Sequence, residues 1–240
     1  MQVRRSTLAA LALLLACASA RAERLAEDPA PARAEDVLSP GQAASPAAAR
    51  VVKVLLALRD GVRTTRYQHT TVIHRKDGFY GWDCSGMASW ILGRSSTRAF
   101  AALRGGRAAA IDFYNLIARA PVAKRKRGWQ RLAHVSEARP GDLFAFPRSP
   151  VSQSPVTGHV GFLVETPYPV PGVPGMYAVR VVDSTSYPHQ HDSRGDTTTG
   201  FGFGTMVFMT DDTGEAVAYG WYGMQSRWLM PTHILFGRVW

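Results

Sequence analysis

Cys84 is the side chain of this chain best suited to nucleophilic chemistry. It lies in Gly81-Trp-Asp-Cys-Ser-Gly86, directly before a run whose apolar positions (84, 87, 88, 91 and 92) share one helical face. The spacing predicts a helix over Cys84–Leu92, ended at Gly93, with the cysteine in its first turn. The free N–H groups and positive dipole end at that position favour a thiolate. A thiolate attacks carbonyl carbon, and the same N–H groups can hold the oxyanion that follows. Two downstream segments supply partners. Thr157-Gly-His-Val-Gly161 sets His159 at the start of a predicted strand, and Val181-Val-Asp-Ser184 ends the next strand on Asp183. An imidazole paired with Cys84 can protonate a leaving amine, and a carboxylate on its other nitrogen would hold the ring. The order Cys, His, Asp is weakly diagnostic by itself, and an aspartate at a strand end also serves as a turn cap.

Other residues invite chemical readings. His189, His191 and Asp192, with Asp183, supply metal-ligand types. No helical His-Glu-x-x-His pattern or cysteine pair accompanies them, so the expectation is a polar loop with no metal and no cofactor. Residues 187–198 are expected to rim the cleft and shape specificity. Trp82, next to Asp83 and Cys84, is the candidate wall of a substrate site. Asp142, in Arg139-Pro-Gly-Asp-Leu143, reads as a structural turn residue. Gly200-Phe-Gly-Phe-Gly204 lacks the Lys-Ser/Thr ending of a phosphate loop and reads as a turn or a close strand approach. The basic cluster Lys124–Arg127, with Arg131 nearby, reads as a solvated loop or helix end.

These residues need a frame. The chain has 240 residues, 46% of them hydrophobic, two cysteines and a formal charge of +10. General disorder, a disulfide-dense scaffold and a four-cysteine zinc site are therefore excluded. Residues 1–22 have the layout of a secretory signal peptide: Arg4 and Arg5, then the short apolar run Leu8–Leu15, then small residues to Ala22. Cys17 has two readings. It is discarded with the signal, or Leu14-Leu-Ala-Cys17, which resembles a bacterial lipobox, makes it a lipidated N-terminus and the only membrane attachment. Loss of the signal lowers the charge to about +7, which suits a polyanionic surface such as a cell wall. No recognised motif supports specific nucleic-acid binding. Residues 23–50, Ala/Pro-rich and free of aromatics, read as a linker, and 51–240 as one folded domain. Helices are expected over 50–59, 84–92 and about 108–119. Six short strands follow near 142–146, 159–165, 177–183, 205–209, 217–222 and 234–239. Helices followed by strands predict an α+β fold, with N-terminal helices packed on a roughly six-stranded antiparallel sheet.

Asp-Cys-Ser-Gly, Pro-Gly-Asp-Leu and Gly-His-Val-Gly-Phe, in that order over about 80–185, resemble the NlpC/P60 family of papain-like cysteine peptidases. The resemblance implies a papain-like fold with Cys84 as nucleophile, His159 as base and Asp183 in the third position. It implies that Asp83 and Ser85 line the substrate site. It also implies an exported hydrolase of the periplasm or cell envelope, cutting amide bonds in peptidoglycan stem peptides. The chain departs from the family pattern in using Asp at the third position, in a long Cys84–Gly141 stretch, in the Pro-rich insertion 167–175 and in the polar loop after Asp183. Two other functions fit the residues: transglutaminase-like acyl transfer, which uses the same three residue types in this order, and non-catalytic binding in the envelope. Oligomeric state is not legible.

Overall fold

The computed structural model describes residues 38–39, 42–103, 107–195 and 198–240. The export segment, Cys17 and most of the linker lie outside the described residues. The first helix, α1 (Pro46–Gly61), starts at Ser45, whose side chain accepts from the Ala48 N–H, with Pro46 in the first turn. The last residues of the expected linker are thus its opening turn. Val51, Val52, Leu55 and Leu58 form its buried stripe.

The polar and β-branched stretch 62–75, which reads from the sequence as an extended loop or a short strand, carries two strands. Three short strands, β1 (Thr64–Tyr67), β2 (Val72–His74) and β3 (Phe79–Trp82), form a small sheet in the order β1-β3-β2. Next come α2 (Cys84–Ser95), α3 (Thr97–Ala101) and α4 (Ala110–Ala118). Gly93 lies inside α2 instead of ending it. The remaining strands are β4 (Trp129–Arg131), β5 (Leu143–Pro147), β6 (Gly158–Leu163), β7 (Tyr168–Pro169), β8 (Met176–Thr185), β9 (Gly200–Thr210), β10 (Ala216–Gly220) and β11 (Met230–Val239). The Pro-rich insertion supplies β7, an edge strand on the half of β8 away from Asp183. The basic cluster ends in a tight turn at Arg127 and Gly128, both with positive φ.

The expectation of an α+β, papain-like architecture with helices on an open sheet is overturned. Six antiparallel strands run in the order β10-β9-β8-β6-β5-β11, and β10 pairs β11 as well as β9. The sheet is therefore a closed barrel, with β4 and β7 added on β11 and β8. Three features allow closure. Strands β8, β9 and β11 are 10, 11 and 10 residues long, each longer than its expected run. A bulge between Ala216 and Ala218 bends β10. Strand β11 pairs β10 through Met230–Ile234 and β5 through Leu235–Gly237.

Burial follows the two faces of this wall. Phe144, Phe146, Leu163, Val179, Val181, Met206, Phe208, Ile234 and Phe236 pack together in the interior. Their alternates Leu143, Ala145, Val160, Phe162, Val182, Phe203 and Leu235 pack outward with the helical residues Leu55, Met87, Ile91 and Phe113. Phe208, fully buried against the Phe144 and Phe236 rings, separates the two architectures. On an open sheet covered on one face it would meet solvent. In the barrel, Phe208→Ala is expected to cost about 3–5 kcal/mol in urea unfolding. A loss below about 1 kcal/mol would contradict the closed interior.

Candidate active site

Asp83 builds the start of α2. Its Oδ1 accepts from the Gly86 N–H (2.7 Å) and the Ser85 hydroxyl (2.9 Å), which makes it the N-cap. Its Oδ2 pairs with Arg107 Nη2 at 2.8 Å and lies 3.3 Å from His69 Nδ1. The cap takes the Gly86 amide, so the first-turn amides of Cys84 and Ser85 have no partner within the helix. Cys84 is a free thiol, 6% exposed. Tyr67, at the end of β1, faces the same place. Burial first, then the charges of Cys84, Asp83 and Asp183, push its hydroxyl well above the ordinary tyrosine range, so it stays a proton donor.

Trp82 does not wall this site. It is fully buried, with its ring 5.2 Å from Tyr80 and 5.5 Å from Trp90, and its carbonyl accepts from the Ser184 hydroxyl at 2.9 Å. Its bulk and aromatic faces are spent on holding the segment before Cys84 against β8, so it is a support behind the nucleophile.

His159 and Asp183 sit on neighbouring strands β6 and β8, on the inward-facing parity, and meet at one end of the barrel. His159 Nε2 lies 2.6 Å from Asp183 Oδ2. That leaves Nδ1 for the Cys84 side, whose charge acts on the ring. Phe146 and Trp221 pack the imidazole at 5.7 and 5.0 Å. Burial by itself would push the imidazolium pKa down. The charge on Cys84 and the hydrogen bonds to Asp183 and Cys84 outweigh it and bring the pKa to about 9.

Asp183 is wholly buried and takes three donors. Besides His159, it receives His189 Nε2 at 2.8 Å on Oδ2 and Arg194 Nη1 at 3.0 Å on Oδ1. His189 Nδ1 meets the Trp221 carbonyl at 2.9 Å, so both of its ring nitrogens face acceptors. Asp192 closes the cluster, binding Arg194 Nε and Nη2 and the His189 amide. Burial alone would raise the Asp183 pKa. The charges of His189 and Arg194 and the hydrogen bonds reverse this and hold it well below the usual carboxylate range. Strand β9 makes room for the cluster. A Cβ at Gly202 would strike Arg194, and one at Gly204 would strike His189, so this glycine run is a close approach and not a turn.

The fold thus brings Cys84, His159 and Asp183 together, with Asp83 and Ser85 on the same turn as the nucleophile. Sequence reasoning left out Tyr67, Arg107 and Arg194, and set His189 and Asp192 on a cleft rim. Tyr187, His191, Ser193 and Gly195 of that loop are exposed, whereas His189 and Arg194 are buried beneath Asp183. Among the described residues no group of three or more His, Cys, Asp and Glu could hold a metal ion. The alternating glycines of 200–204 were the one sequence signal for a buried partner there. No protein-family model, curated protein or solved structure matches the chain.

Two measurements test this geometry. The His159 ring, followed by NMR, should titrate near pH 9, and Cys84→Ala should lower that midpoint by removing the partner charge. An unchanged midpoint would separate the two groups. Asp183 has a folded pKa below its unfolded value of about 4. Its contribution to stability is therefore present above pH 4 and lost as pH falls below it. Asp183→Asn removes the carboxylate shared by His159, His189 and Arg194, leaves Asp192 as the cluster's one buried counter-charge, and should cost about 3–5 kcal/mol at pH 7. A cost near zero would mean that the cluster carries no charge interaction.

Proposed function

We propose that the protein is an exported cysteine amidase or endopeptidase that hydrolyses amide bonds in peptidoglycan stem peptides. One observation carries the catalytic part: a buried imidazole held on Asp183 at 2.6 Å and under the charge of a cysteine at a helix N-terminus. The Cys84 sulfur attacks the carbonyl carbon, and a C–S bond forms. The first-turn amides of Cys84 and Ser85 and the Tyr67 hydroxyl are the donors for the resulting oxyanion. His159 passes its Nδ1 proton to the amide nitrogen, and the C–N bond breaks. Water then gives a proton to Nδ1, attacks the thioester carbonyl and releases the sulfur.

The substrate class rests on the three NlpC/P60-like motifs, the basic charge and the signal-like N-terminus. Arg107 and His69 around Asp83 supply polar groups on the acyl side of the nucleophile.

Mass spectrometry of products from purified wall peptides tests the reading. The wild type should release amine and acid fragments, and Cys84→Ala should lose at least about 10⁴-fold in rate while keeping its fold. Full turnover by that variant would reject the mechanism. Acyl transfer to an added amine without hydrolysis would reject the hydrolase assignment.

A further inference from the structure

A cleft of about 390 Å³ opens beside His159. It is large enough for one or two amino-acid residues and falls within the range of small-ligand sites. His159 and Tyr67 line it, and Cys84 is not among its described lining residues. That placement gives it a side. In amide cleavage through a cysteine, the acyl part stays on sulfur, while the general acid must reach the departing nitrogen. A cavity that contains the acid and not the nucleophile receives the departing amine.

The chemistry of the lining narrows the amine. Trp221, Tyr222 and Tyr187 provide broad aromatic walls, with Tyr187 and Tyr222 67% and 46% exposed. Among the described residues no Asp or Glu lines the cleft, and Arg148 is its one permanent cation. Arg148 follows β5 and is fixed in place. Its amide donates to the Thr157 carbonyl at 3.1 Å, and its Nη1 donates to the Ser154 carbonyl at 2.9 Å. The next residue, Ser149, ties the segment to the Pro231 carbonyl at 2.7 Å. The remaining guanidinium donors are a fork for a carboxylate.

We infer that this cleft selects leaving groups bearing a free carboxylate, an amino acid or dipeptide whose terminal carboxylate meets Arg148 while its body lies on Trp221 and Tyr222. The inference rests on the proposed hydrolase reading for its direction, since only catalysis makes one side the leaving side.

The test has a kinetic arm and a binding arm. In the first, two amide substrates differ only in whether the leaving residue ends in a carboxylate or a carboxamide. The wild type should favour the carboxylate in kcat/KM by about five- to tenfold. Arg148→Gln should bring the carboxylate substrate down to the level of the amide, with a clearly smaller effect on the amide substrate. Equal wild-type rates, or an equal loss on both substrates, would overturn the inference. In the second arm, alanyl-phenylalanine and its C-terminal amide are titrated into the full chain and followed at the Trp221 indole N–H by NMR. The free carboxylate should bind about five- to tenfold more tightly, and Arg148→Gln should erase the difference. Equal affinities, or no response at Trp221, would overturn it. If neither amide substrate is cleaved while binding shows the carboxylate preference, the hydrolase reading fails and the site stands.

Discussion

A carboxylate with no solvent contact must be surrounded by donors or lose its charge, and the end of this barrel is arranged around that demand. Asp183 is met by His159, His189 and Arg194, and the excess positive charge is balanced by Asp192. Removing any one donor leaves a buried charge short of a partner. The group that orients the imidazole is thus held rigidly from behind. His159 consequently has one nitrogen committed and one free, which sets the direction in which it can work. The costly part of the site is the clamp on Asp183, and the Cys84–His159 contact is its consequence.

The same demand reaches into the fold. The clamp arrives on the loop between β8 and β9, and β9 admits it only because Gly202 and Gly204 present no side chain toward Arg194 and His189. Cross-ties then register the nucleophile to the strand carrying Asp183. The Ser184 hydroxyl reaches the Trp82 carbonyl at 2.9 Å. Thr65 joins the small sheet to β9 by accepting from the Phe201 amide at 2.8 Å, and Thr199 accepts from the Tyr67 amide at 3.1 Å. Cys84, Tyr67 and Asp183 come from three parts of the chain and are held by hydrogen bonds between buried or half-buried groups, which are costly to break.

Much of the site was legible in local patterns. The 84–92 periodicity specified a helix with Cys84 in its first turn, and strand-like segments carried His159 and Asp183. The barrel was not legible. Residues such as Phe144 and Leu143 alternate between two apolar environments, so the strand pattern shows burial on both faces without naming what covers each. Closure depends on β10 finding two partners, and pairing partners leave little trace in one sequence. Trp82 misled for a related reason. Adjacency to Cys84 in sequence suggested a cleft wall, but β3 turns alternate residues inward, and a large indole in that position fills the core. Arg194 carried no signal at all, because its partner Asp183 lies across a loop whose path only the fold defines.

The most direct test of this account is the alkylation rate of Cys84 by iodoacetamide at pH 6, mapped by mass spectrometry and compared between the wild type and Asp183→Asn. If the Asp183 clamp holds His159 as a charged partner for the sulfur, wild-type Cys84 reacts faster than a model thiol at this pH, and the substitution removes the advantage. A wild-type rate no higher than the model thiol, or one that survives Asp183→Asn, would contradict it.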